Sequence, residues 1–117
     1  MKPPTVDNPM QSRSQTVWPA TADGVDGAVH EAQGWLRYCY GRALARDPSL
    51  RGIVDLSLVV RDEGGIGRVV SVDVIDADLD DADLEECLVS KLERLAFDPP
   101  LDGDLVVDER LRFESTE

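Results

Sequence analysis

Aromatic residues are scarce in this sequence, at 5%, too few for a surface that reads nucleic-acid bases by stacking. Basic residues are also in the minority: 12 Lys and Arg stand against 24 Asp and Glu, a formal net charge of −12. Such a field repels phosphate backbones and anionic lipid, so neither nucleic acid nor a membrane surface is expected as a partner. No apolar run approaches the roughly 18 residues that cross a bilayer, and Met1 to Thr16 lacks the apolar core of a signal peptide. Any export signal or anchor is expected to lie outside this sequence. Histidine occurs once, as His30, and cysteine twice, as Cys39 and Cys87. The two cysteines form no C-x-x-C redox or zinc pattern. No serine or second cysteine stands at a telling spacing from His30, which reads as a helix-surface residue and not as part of a triad.

The 117 residues, 42% of them apolar, are enough for one globular domain. Residues 1–22 hold Pro3, Pro4, Pro9 and Pro19 among Ser, Thr, Gln and Asn, and read as a flexible tail or linker stub. Val17 and Trp18 are the exception, since a large apolar side chain beside a domain often docks on it as a short edge strand or anchor. The domain itself is expected over residues 23–117.

From Val25 to Arg46 apolar residues recur at Val29, Ala32, Leu36, Cys39, Tyr40 and Ala43, which predicts one amphipathic helix ended by Asp47-Pro48. Over Ile53 to Arg61, Val54, Leu56, Leu58 and Val60 alternate with polar positions, as in a half-buried strand. The glycine-rich stretch Asp62 to Gly67 then leads into a partner strand in which Val70, Val72 and Val74 alternate with Ser71 and Asp73, giving an antiparallel hairpin. A second helix follows, capped by Asp80 or Asp81, with Leu84, Cys87, Leu88, Leu92 and Leu95 as its buried stripe and Pro99-Pro100 beyond its end. A last strand from about Asp104 to Phe113 sets Leu105, Val107, Leu111 and Phe113 on one face, which Glu109 alone interrupts. The prediction is an α+β fold of two layers: a three-stranded antiparallel sheet with two helices on one face, in the order α-β-β-α-β, to which Val17 and Trp18 can add a short strand.

Charge is unevenly placed. Residues 1–61 carry seven basic and six acidic side chains, whereas residues 62–117 carry five and eighteen. Asp76-Ala-Asp78-Leu-Asp80-Asp81-Ala-Asp83 imitates the start of a calcium loop, yet Asp81 stands where the loop needs glycine and Cys87 where it needs a bidentate glutamate. It reads as a solvated, helix-capping run, and no metal or cofactor is expected. Gly64-Gly65-Ile66-Gly67 precedes a strand and lacks a following Lys-Ser/Thr, so it reads as a turn and not a phosphate cradle. Arg37, Arg42, Arg46 and Arg51 form either a solvated face or a basic docking edge. Cys39 and Cys87 each fall on the inward stripe of a helix, and two readings stay open for them: a bond closing a loop of about 48 residues, or two buried thiols acting as small apolar residues.

Several short patterns recur in an order that resembles the TonB C-terminal-like domains, in particular their AgmX/PglI C-terminal branch from myxobacteria. They are Cys39-Tyr40-x-x-Ala43-Leu44, Pro48-x-Leu50-x-Gly52-x-Val54, Gly67-x-Val69, Leu84-x-x-Cys87, Phe97-x-Pro99-Pro100 and Gly103. They span about Val25 to Phe113. The resemblance implies an envelope protein of a Gram-negative bacterium, with the domain in the oxidising periplasm and Cys39 bonded to Cys87. It also implies a coupling role, in which a segment of another envelope protein is held as an added strand; no enzyme is expected, because no set of residues offers the geometry that a nucleophile or acid/base pair needs. Where the branch carries Tyr-Pro-Phe near its end, this chain has Glu109-Arg110-Leu111, which makes the last strand unusually charged. The partner edge is therefore expected around Val106, Asp108, Arg110 and Arg112. Two alternatives accompany this reading. One is a homodimer that joins the Arg37 to Arg51 surface to the Asp73 to Glu86 surface, and the other is a cytoplasmic adaptor in which the cysteines are reduced.

Overall fold

The alternation of apolar and polar side chains after Arg51 builds the centre of the molecule. In a computed structural model, which describes residues 17–100 and 102–114, β1 (Gly52–Glu63) buries Val54, Leu56, Leu58 and Val60 completely. It turns through Gly64 and Gly65 into β2 (Ile66–Ala77). Both glycines have positive φ, 66° and 89°, as a two-residue hairpin that matches the strand twist requires. Of the tail expected over residues 1–22, residues 1–16 lie outside the described residues.

β2 does not keep strict alternation. Its register against β1 shifts between Val59/Val60 and between Asp55/Leu56, so that Val70 and Ile75 are passed over. Each is the extra residue of a bulge. In consequence Val69, and not the expected Val70, faces the core together with Val72, while Ile75 is exposed.

The predicted first helix is two. α1 (Ala22–Glu31) starts three residues before Val25, where the Thr21 hydroxyl accepts the Gly24 N–H, and α2 (Gln33–Arg46) follows a break at Ala32. The break lets Val25, Ala28 and Val29 of α1 and Leu36, Cys39, Tyr40 and Ala43 of α2 all reach the core. α3 (Ala82–Leu92) is capped by Asp81, whose carboxylate accepts the Leu84 N–H at 2.9 Å, and it buries Leu84, Leu88 and Leu92. Cys87 and Leu95 are only partly buried.

A short strand not foreseen from the sequence, β3 (Ala96–Phe97), pairs with Gly67 and Arg68 at one edge of the sheet, and β4 (Leu105–Phe113) pairs with β1 at the other. The sheet is four-stranded and antiparallel throughout, in the order β3-β2-β1-β4. The expected α+β class holds, with three helices and four strands among the described residues in place of two and three. Trp18 does dock: it forms an isolated parallel bridge with Phe97, its backbone oxygen accepts the Asp98 N–H, and its ring Nε1 donates to Glu31 at 3.0 Å. Its ring lies so close to α1 that a Cβ on Gly27 would sit 2.5 Å from it.

Cys39 and Cys87 are bonded to each other, joining α2 to α3 across 48 residues of chain. The acidic run serves the same corner. Both oxygens of Asp81 also accept from the Arg46 Nη2 at 2.9 Å, and Asp78 accepts the Ile53 N–H at 2.9 Å.

Candidate interaction edge

β4 is held along its length by β1, in a register that runs from Gly52 opposite Phe113 to Val60 opposite Leu105. Its other side meets no strand among the described residues. The direction of its backbone groups follows from β1. The Ile53 N–H donates to the Asp78 carboxylate and its C=O accepts the Asp78 N–H, both on the β2 side, so the odd residues of β1 hydrogen-bond toward β2 and the even ones toward β4. The partners of Leu58, Leu56 and Val54 are Val107, Glu109 and Leu111. These three therefore bond to β1, and Val106, Asp108, Arg110 and Arg112 direct their N–H and C=O groups outward.

The same four residues carry their side chains on the sheet face opposite the helices. Val106 is 62% exposed. Arg110 spans to Asp55 on β1 with two contacts, at 2.8 and 3.1 Å. That hydrogen bond is the main reason the Asp55 carboxyl titrates below its usual range and the Arg110 guanidinium above its own. Arg112 approaches Glu114 at 3.7 Å, and Asp108 forms no ion pair among the described residues. All four residues singled out in the sequence thus lie together on one edge, with their backbone groups directed outward and their side chains exposed.

Glu109 lies between them on the opposite face. It is 9% exposed and shares its row with Leu56 and Val74. Burial pushes its carboxyl up to about 7, and Asp26 of α1 adds to this by charge repulsion and by a hydrogen bond that favours the protonated form. The interruption of the apolar face was visible in the sequence. Its partner was not, because Asp26 is 83 positions away and sits on α1 as an ordinary polar residue.

Two other surfaces escaped the sequence reading. Val17, Trp18, Trp35, Ile66, Leu95 and Phe97 line a groove of mixed polarity near β3 together with Glu31, Arg94 and Asp98, although Trp35 falls outside the buried helical stripe. Tyr38 is exposed on α2, with Arg42 and Lys91 at 5.9 and 5.7 Å from its ring centre. The Arg37 to Arg51 and Asp73 to Glu86 surfaces touch within one chain through the Arg46–Asp81 pair.

Comparison with known proteins returns no match: no family model fits the chain, and no curated protein or solved structure is found to be similar to it.

Proposed function

We propose that this chain is a non-enzymatic protein-interaction module that holds a segment of another protein as an added strand along β4. The observation that carries the reading is the outer edge of β4: nine residues long, its outward backbone groups coincide with Val106, Asp108, Arg110 and Arg112. Main-chain hydrogen bonds supply much of the affinity in this mode, and the flanking side chains select the partner. The mixed charges on the edge disfavour indiscriminate pairing and demand a segment of matching charge.

The patterns shared with TonB C-terminal-like domains of the AgmX/PglI branch extend the proposal to a Gram-negative envelope machine, with this domain in the periplasm. The Cys39–Cys87 bond suits an oxidising compartment. Acid trapping of thiols from the native host, followed by mass spectrometry, tests that placement: two free thiols would put the domain in the cytoplasm.

The test of the edge is a photo-crosslinking residue at Val106 in the native host, compared with Val106→Pro. Because the Val106 N–H points outward, proline removes no internal bond and is tolerated on an edge strand. The expected outcome is a crosslinked protein that Val106→Pro no longer binds, with an unchanged circular dichroism spectrum. Equal binding by Val106→Pro would remove the edge from consideration.

A further inference from the structure

The charges on the outer face of β4 are self-complementary under a twofold rotation. Charges on an edge strand discourage pairing wherever they do not meet a complement. This one carries Asp108 and Arg110 two positions apart, side by side on the same face. When two copies of β4 run antiparallel with Glu109 on the axis, residue 108 of each lies opposite residue 110 of the other. Opposite charges then meet twice, since a closed twofold repeats every contact.

We infer that in the free protein, before a partner segment takes its place, the strand this edge accepts is the β4 of a second copy, paired antiparallel about Glu109 so that two four-stranded sheets join into one of eight strands. The inference rests on the reading of β4 as a strand-accepting edge and names its occupant.

Every position in this register finds a compatible neighbour. Because Asp108 and Arg110 both direct their backbone groups outward, they exchange main-chain hydrogen bonds as well as charge. Arg110 then lies between Asp55 of its own chain, which it already holds at 2.8 Å, and the second copy's residue 108. Val106 falls opposite residue 112, whose aliphatic stem can cover it while the guanidinium stays in water. On the helix-facing side Val107 meets residue 111 and Leu105 meets residue 113, extending the apolar face of each sheet. The one like pair is Glu109 with its own symmetry mate. Burial beside Asp26 already holds that carboxyl protonated toward neutral pH, so the pair can share a proton.

Neighbouring registers fail on charge. Sliding by two residues one way places Asp108 on the axis against itself. The other way places Arg110 there, and its guanidinium cannot be deprotonated to relieve the contact. A slide by one residue turns the buried face of one copy outward.

The experiment is sedimentation equilibrium of the whole chain, with circular dichroism as the control for folding. The wild type is expected to dimerise, and more weakly as salt is raised. Asp108→Arg sets like charges together at both symmetric pairs and is expected to weaken the dimer about tenfold or more. Arg110→Asp alone would also face Asp55. The restoring variant is therefore the triple Asp55→Arg, Asp108→Arg, Arg110→Asp, which rebuilds the alternation with its signs inverted and is expected to recover the dimer. Val106→Pro is expected to be monomeric and folded. A wild type that stays monomeric up to about 1 mM overturns self-pairing; if Val106 still crosslinks to another protein, the strand-accepting edge stands with a different occupant. A dimer that survives both Asp108→Arg and Val106→Pro also overturns self-pairing, and the edge is then judged by the Val106 crosslink alone.

Discussion

Glu109 puts a carboxyl where Leu56 and Val74 would favour another apolar side chain, and the cost is met by keeping it protonated. Its value rises from the usual 4.5 to about 7, so folding takes up a proton between those limits. The stabilisation this provides is complete below about pH 4.5 and is lost as pH rises through 7. Glu109→Gln keeps a donor for Asp26 and carries no charge to desolvate. It is expected to be more stable than the wild type at pH 8, with little change between pH 5 and pH 8, as measured by urea unfolding at both. A wild type with equal stability at both pH values would mean that the carboxyl is not buried as described. Arg110 presents the opposite case: exposed and paired with Asp55, it contributes little to folding and more to what the edge selects.

At the scale of elements, each segment is ended or steered by a few polar groups. α3 begins where Asp81 accepts the Leu84 N–H, and that bond, ahead of the Arg46 contact, holds the Asp81 carboxyl below its usual range. Asp81→Ala is expected to cost about 1 to 2 kcal/mol, read as a lower urea midpoint with an unchanged slope. Because the Asp81 carboxyl is lowered, its contribution is present at neutral pH and is lost on acidification through the carboxylate range. The bulges at Val70 and Ile75 do for β2 what capping does for α3. They let an irregular sequence keep Val69, Val72 and Val74 on the side of the helices. β4 needs no bulge, and its straight register against β1 is what leaves a continuous outer edge.

For the molecule as a whole, the helices cover one face of the sheet and the Cys39–Cys87 bond fastens α2 to α3 over it. Closing a loop of that length removes unfolded-state freedom worth about 4 kcal/mol in the chain-entropy account. Replacing both cysteines by serine is therefore expected to lower the melting temperature markedly, with the fold retained below the transition. An unchanged melting temperature would show that the bond stabilises little. Neither cysteine lies on β4, so the same variant is expected to leave edge pairing intact.

Periodicity alone placed β1, α3 and β4, because alternation at two and repetition at three to four reflect which side chains a strand or helix can turn toward one core. It also set Asp108, Arg110 and Arg112 on one face, since charges two apart on a strand share a face; the resemblance, and not periodicity, marked that edge with Val106 for a partner. Several features depend on contacts between distant segments, which no local pattern carries. The helix break at Ala32 lets two stripes reach one core, and β3 forms only because β2 offers it a free edge. The bulges answer to the fixed register of β1. The pairing of Cys39 with Cys87, open on pattern alone, was decided by α2 and α3 meeting above the sheet, and the raised carboxyl of Glu109 by α1 bringing Asp26 to it. The sequence by itself determined which residues face inward and which outward; the tertiary structure decided which of them meet, because proximity across 48 or 83 positions is set by packing and not by the chain.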